Sequence, residues 1–269
     1  MYVITISMDP EIVDLWGQFT IDWHGIMVVL ALVCGVALTL YLAKKEGMQL
    51  DQLFAPLIAA VIGGILISRF THVVDQWEFY YERPREILNI WAGSSIIGAV
   101  IGGAIGAAVY AKIAGWSWTR LGKLADIAAP GSILGMAIGR LGCTINGDAW
   151  GTPTGLPWGI TYTHPNHSGS TFRAPYVGHP TPVYEIIWDM LVFTFLMVFR
   201  KRLKPASVTY WMYLSLYSLG RFLITFVRVN DPYLWGLKQA QVITLFIMVI
   251  CVPLLIYLIR NRGRYKDYT

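Results

Sequence analysis

Charge is scarce in this 269-residue chain: 14% of its residues are Asp, Glu, Lys or Arg, against 55% hydrophobic ones, and its mean hydropathy is +0.52. That balance excludes a soluble domain with a solvated surface, and apolar runs of about twenty residues recur along the chain, so the class is a polytopic membrane protein. Cysteine is scarce too. Three residues cannot all pair within one chain, and Cys34 and Cys251 sit inside apolar runs as small buried hydrophobes. The first twenty residues carry Asp9, Glu11 and Asp14 but no basic segment, which speaks against a cleavable signal peptide. Low-complexity tracts and internal repeats are lacking. So is ligand spacing among His72, His164, His167 and His179, so neither a metal nor an organic cofactor is expected.

What is present is a series of spans. Hydropathy marks seven, at residues 21–43, 51–74, 91–114, 124–142, 182–199, 207–227 and 241–259. The net charge of +5 does not point to nucleic acid, because the basic residues collect in the short linkers. The linkers after spans one, three and five and the C-terminal tail hold 13 (Lys44, Lys45, Lys112, Arg120, Lys123, Arg200, Lys201, Arg202, Lys204, Arg260, Arg262, Arg264, Lys266), and the opposite side holds 4 (Arg83, Arg85, Arg173, Lys238). By the positive-inside rule the C-terminus is cytoplasmic and the N-terminus outside. The fold class expected is therefore an all-α polytopic membrane protein of about seven transmembrane helices. Residues 1–269 form one integral-membrane domain, and the polar insert 143–181 makes a small extracytoplasmic cap.

Glycines recur at four-residue spacing in span three (Gly98, Gly102, Gly106) and span four (Gly131, Gly135, Gly139), a pattern that lets helix backbones approach closely. The ionisable residues inside the spans are more telling, since a guanidinium in a bilayer costs roughly 2.5 to 3.5 kcal/mol on insertion scales. At 1.5 Å of rise per residue, Arg69, Arg140 and Arg221 reach the outer leaflet. Glu185 and His24 lie about one turn into the fifth and first spans. Five helices thus bring polar groups to one level, which reads as a polar site open to lipid.

The stretch Gly139-Arg140-Leu141-Gly142-Cys143-Thr144-Ile145-Asn146-Gly147-Asp148-Ala149-Trp150-Gly151 resembles the signature of the prolipoprotein diacylglyceryl transferase family. The similarity extends from Asp22-Trp23-His24-Gly25 through Gly155-Leu156-Pro157-Trp158-Gly159 and His179-Pro180-Thr181-Pro182-Val183-Tyr184-Glu185 to Gly220-Arg221-Phe222. The resemblance implies a bacterial enzyme of the cytoplasmic (inner) membrane with its active site toward the outer leaflet. Such an enzyme moves diacylglycerol from phosphatidylglycerol onto the lipobox cysteine of a prolipoprotein signal peptide. Membrane lipid and that peptide are the partners it implies. Position by position, the signature arginine falls on Arg140, the second asparagine on Asn146, the acidic residue on Asp148, the final glycine on Gly151, and the sixth-span arginine on Arg221. Cys143 stands where many members have the first asparagine, and His24 where they commonly have Tyr. The third-span His aligns with Ile97, and the glutamate one turn beyond the sixth-span arginine aligns with Thr225.

Chemistry explains why these residue types are needed. Displacing a phosphate by a thiol at an unactivated carbon is helped by stabilising charge on the leaving group and by supplying thiolate. Arg140 and Arg221 serve the first need, since a guanidinium offers a planar fork to phosphate oxygens; Asn146 and Gly151 complete the lipid-binding set. His24 and Asp148 are the candidate bases, Asp148 being also the expected partner of Arg140. Glu185, Arg69 and Cys143 support the site, Cys143 as a packing substitution. An inactive lipid-binding relative and a small-solute transporter are the alternative readings. The charge asymmetry makes a direct prediction. In a background without native cysteines, Ser170→Cys should label from outside intact cells and Lys201→Cys only from the cytoplasm; exterior labelling of Lys201→Cys overturns the orientation.

Overall fold

The computed structural model describes residues 3–15, 19–89, 93, 95–167 and 176–261. Trp91, Ser170, Arg173, Arg262, Arg264 and Lys266, which the sequence reading used, lie outside the described residues. Helices dominate: α1 (Trp23–Lys45), α2 (Asp51–Asp75), a short α3 (Trp77–Glu82), α4 (Ile96–Ile113), α5 (Trp118–Asn146), α6 (Thr181–Phe199), α7 (Val208–Thr225) and α8 (Gln239–Arg260). Among the described residues six of them, α1, α2, α4, α5, α6 and α8, are long and apolar enough to cross a membrane. The helix over the expected sixth span, α7, is not one of the six, because serines, tyrosines and Arg221 dilute its apolar content.

Two helices, α4 and α5, differ in their limits from the hydropathy reading, each for local reasons. Ser95 caps α4, its hydroxyl accepting from the Gly98 amide at 3.4 Å, so the helix starts at Ile96 rather than at 91. Helix α5 begins six residues before the apolar window and continues four beyond it. The Ser117 hydroxyl accepts from the Arg120 amide at 3.2 Å, and the end comes at Gly147, whose φ of +68° is the left-handed stop that suits glycine. Residues 143–146 therefore belong to the helix and not to the insert.

Short strands, which the sequence reading did not expect, accompany the helices. In β1 (Ile4–Ile6) the chain pairs in parallel with β4 (Ile160–Tyr162) of the insert. The hairpin β2 (Glu11–Leu15) and β3 (Phe19–Asp22) leads into α1, and β5 (Pro232–Leu234) with β6 (Leu237–Lys238) joins α7 to α8.

The chain divides into two compact units, residues 40–124 and residues 1–39 with 125–269. In the first, α2 packs on α4 through the glycine face: a Cβ on Gly102 would run into the Gly63 carbonyl, and one on Gly106 into that of Ala59. Ser68 ties the same helices, donating to the Ser95 carbonyl at 2.9 Å. In the second, Ala129 and Ile133 of α5, Val192 and Leu196 of α6 and Tyr213 and Tyr217 of α7 form the core. Asp126 of α5 accepts from the backbone amides of Ser207 (2.7 Å) and Tyr210 (2.9 Å), satisfying the open donors at the start of α7.

This packing separates glycines that look alike in sequence. Gly102→Leu should lower the detergent-state stability by about 1 to 3 kcal/mol or more through overpacking. A Cβ on Gly139 meets nothing within 4 Å, so Gly139→Ala should be neutral or stabilising. Thermal unfolding of both variants checks this, and equal melting temperatures count against the close α2–α4 contact.

Candidate active site: an arginine cluster around Glu185

All of the site geometry lies in the unit of residues 1–39 and 125–269. Glu185 projects about one turn into α6 and is 4% exposed. A carboxylate so far from water must be paired, and three arginines pair it. The Nε of Arg140, from α5, lies 2.5 Å from Glu185 Oε2; Arg221, from α7, is ion-paired to Oε1; Arg228, just past α7, reaches Oε1 at 3.3 Å. Three cations around one anion leave an excess of positive charge in a largely buried cluster, the electrostatic condition for holding an anion.

The backbone fixes the third arginine. Residues 150–152 run antiparallel to 227–229: the Val229 amide donates to the Trp150 carbonyl and the Thr152 amide to the Val227 carbonyl, both at 2.8 Å, with Gly151 opposite Arg228. The Lys238 ammonium donates to the carbonyls of Thr225 (2.9 Å), Phe226 (3.2 Å) and Arg228, closing the open acceptors where α7 ends. Gly151 itself is a packing requirement, since a Cβ there would overlap the backbone of His179. Its carbonyl accepts from the Tyr176 hydroxyl.

Beside the cluster, Arg140 Nη1 lies 3.5 Å from Cys143 Sγ, one turn along α5. Across the gap to α1, His24 Nδ1 is 3.7 Å from the same sulfur and 3.8 Å from Asp148 Oδ2. Two of the four departures from the family pattern, His24 and Cys143, are thus in contact. Asp22 holds the two helices in register: one carboxylate oxygen caps α1 by accepting from the Gly25 amide at 2.7 Å, while the other accepts from Asn146 Nδ2 at 3.0 Å. The Tyr162 hydroxyl, its pKa pushed well up by burial, stays protonated and donates to the Thr144 carbonyl at 2.9 Å.

These placements revise several sequence expectations. The ion-pair partner of Asp148 is His24, and that of Arg140 is Glu185, so Asp148 does not orient Arg140. Asn146 binds a carboxylate of its own chain, and Cys143 is a polar contact as well as a packing residue. Arg69 belongs to the other unit, where its guanidinium donates to the carbonyls of Glu86 (2.5 Å), Ile87 (3.0 Å) and Gly93 (2.9 Å) and stacks over Tyr80 at 4.8 Å. That makes it a clamp on the segment after α3. Thr225 donates back to the Arg221 carbonyl at 2.6 Å, a bond internal to α7. Sequence reasoning missed Arg228 and the capping role of Asp22. The first had a signal in its spacing of seven residues, two helical turns, from Arg221.

An apolar groove of 350 Å³ opens between α6 and α7, lined by Tyr184, Ile187, Trp188 and Leu191 on one side and Leu223, Ile224 and Val227 on the other. On α6 these residues recur at the spacing of one helix face, and Glu185 is the next residue after Tyr184 in sequence.

The family described as prolipoprotein diacylglyceryl transferase matches residues 10–257. Among curated relatives, a protein of Dehalococcoides mccartyi is 37% identical over 267 residues, covering 98% of this chain and 99% of its own length. One of Nostoc sp. is 38% identical over 247 residues (89% and 85%), and one of Clostridioides difficile 35% identical over 239 residues (88% and 90%). Each of the three carries the name phosphatidylglycerol--prolipoprotein diacylglyceryl transferase. With a match over nearly its whole length and relatives 35 to 38% identical, this chain belongs to the prolipoprotein diacylglyceryl transferase family.

Proposed function

We propose that this protein transfers the diacylglyceryl group of phosphatidylglycerol to the lipobox cysteine of prolipoprotein signal peptides, forming a thioether and releasing glycerol phosphate. The observation that carries the reading is the Glu185-centred cluster of Arg140, Arg221 and Arg228. Its excess positive charge suits the phosphate, and the neighbouring groove suits an acyl chain, where each buried methylene contributes about 0.8 kcal/mol. In the reaction the substrate sulfur bonds to the glyceryl carbon as that carbon's bond to phosphate oxygen breaks. The electron pair leaves on the phosphate, where the guanidiniums stabilise it, and the thiol proton passes to a base. His24 is that base in this reading. Its Nδ1 faces Asp148, which favours the imidazolium that forms, and the ring is 37% exposed and so reachable.

In the same reading α7 is the seventh span. Its 18 residues rise about 27 Å at 1.5 Å each, close to the hydrocarbon thickness, and its polar side chains face other helices: Thr209, Ser215, Ser218 and Thr225 are buried. Seven spans and the Lys and Arg distribution put the N-terminus outside, the C-terminus in the cytoplasm, and the arginine cluster toward the outer leaflet of the bacterial inner membrane.

Transfer from phosphatidylglycerol vesicles to a lipobox peptide tests the proposal. Arg140→Ala and Arg221→Ala should each abolish transfer while the protein still inserts, and Lys at either place should restore it only in part, because the bidentate fork is lost. Near wild-type turnover in either alanine variant removes the phosphate role. A wild-type chain that binds the lipid without turnover is instead an inactive relative.

A separate expectation concerns the base. His24→Phe should lower turnover by about 10² to 10⁴, the usual worth of general-base catalysis, and leave lipid binding intact. Raising the pH should then recover part of the rate by supplying thiolate. A silent His24→Phe combined with a faster Ile97→His variant makes His24 structural.

A further inference from the structure

His24, Cys143 and Asp148 come from three separate places: the first turn of α1, the last turn of α5, and the residue after the Gly147 turn. Their donor atoms nevertheless all lie within 4.8 Å of one another. Which ring nitrogen they share is informative. A relay from nucleophile through imidazole to carboxylate uses both ring nitrogens, one for each neighbour. Here Cys143 Sγ at 3.7 Å and Asp148 Oδ2 at 3.8 Å both face Nδ1. Three donors converging on one point is the arrangement of ligands around an ion.

We propose that these three residues bind a zinc(II) ion, with a fourth position left to solvent. Bonds of about 2.3 Å to sulfur and about 2.0 to 2.2 Å to nitrogen and oxygen set tetrahedral zinc donors roughly 3.3 to 3.6 Å apart. The two contacts to His24 thus need to close by only a few tenths of an ångström. The remaining closure falls to Asp148, whose side chain is 39% exposed and follows a turn rather than standing within a helix. A thiolate, an imidazole and one carboxylate select a borderline-soft cation over magnesium or calcium, which prefer all-oxygen shells. The thiolate and the carboxylate together neutralise the ion. Arg140, the nearest cation to Cys143, is itself paired to Glu185, so zinc is not set against an uncompensated guanidinium. Sequence spacing hides the site, because 119 residues separate His24 from Cys143. Occupancy would immobilise His24 and Asp148 and so slow the transfer; that consequence rests on the proposed function, whereas the binding does not.

The test uses the full chain in detergent, stripped by a chelator and then titrated with Zn²⁺ in competition with a chromophoric chelator, and separately with Co²⁺. The expected result is one zinc per chain at micromolar or lower free metal, and a cobalt form with the strong visible bands and the sulfur charge-transfer band of a tetrahedral thiolate site. Cys143→Ser should remove the charge-transfer band. His24→Phe and Asp148→Asn should each weaken zinc binding at least about tenfold, the loss that even changes outside the ligand shell produce. Cys34→Ser and Cys251→Ser should leave it unchanged. Should Cys143→Ser fail to fold, a chain carrying Cys34→Ser and Cys251→Ser gives the same answer through maleimide labelling of Cys143, which zinc should block and chelator restore. A wild-type chain that retains no zinc at micromolar concentration overturns the site, as does a charge-transfer band that persists in Cys143→Ser or a thiol that zinc leaves reactive. None of these readouts depends on turnover, so they separate the zinc site from the proposed function.

Discussion

The bonds from Glu185 to three arginines constrain everything around them. A carboxylate in a low-dielectric interior is stable only while its counter-charges are held in place, and removing one partner of a buried pair typically costs about 3 to 5 kcal/mol. Each arginine therefore has to be delivered by an element whose own position is fixed. Helix α5 brings Arg140 and is locked to α7 through Asp126; α7 brings Arg221; the strand-like pairing of 150–152 with 227–229 brings Arg228. The glycine at 151 is needed for that last contact to close against His179. So the family signature reads as two neighbouring devices: Arg140 supplies charge, and Gly151 supplies the backbone approach that places a different arginine.

Much of this was legible in the sequence, and the rest was hidden for identifiable reasons. Periods of apolar residues locate helices, because burial in lipid demands them, and α1, α2, α6 and α8 begin and end within two residues of the hydropathy limits. Hydropathy fails where a helix is stopped by geometry instead of polarity. The polar first turn of α5 and its last turn, residues 143–146, are helical because Ser117 caps one end and Gly147 turns the other, and neither signal registers in a hydropathy window. The N-terminal strands were invisible for a related reason. Their pairing partner, β4, lies more than a hundred residues away, and short strands carry little pattern of their own.

The site was half legible. Comparing depths along helices selected Arg140, Arg221, Glu185 and His24, of which the structure brings the first three into one cluster and His24 beside Cys143, but depth carries no information about azimuth. Rotation about the helix axis decides that Glu185 rather than Asp148 meets Arg140, and that His24 meets Cys143. Arg69 shows the opposite failure. Its depth suited a lipid site, yet three backbone carbonyls within its own unit take up its donors. A buried arginine answers to whichever acceptors are nearest, and unsatisfied carbonyls near an irregular segment compete for it as strongly as a ligand does.

Helix direction adds a smaller favourable contribution to the ion pairing that holds this charged cluster. Arg140 and Arg221 stand in the last two turns of α5 and α7, where the helix dipole presents partial negative charge, and Glu185 stands near the start of α6, where it presents partial positive charge. None of the three lies in the terminal turn itself, so each gains less than the about 0.3 to 1 kcal/mol of a terminal-turn charge. The dipoles act through space, so they stabilise a guanidinium without occupying its N–H groups, unlike the carbonyl clamp around Arg69. Lys238 meanwhile satisfies the open carbonyls at the end of α7, so those acceptors do not draw Arg221 or Arg228 away from the pocket. Between these arginines, Glu185 and the Cys143 sulfur are the internal acceptors that already hold guanidinium N–H groups, so the charges are organised before anything else approaches them.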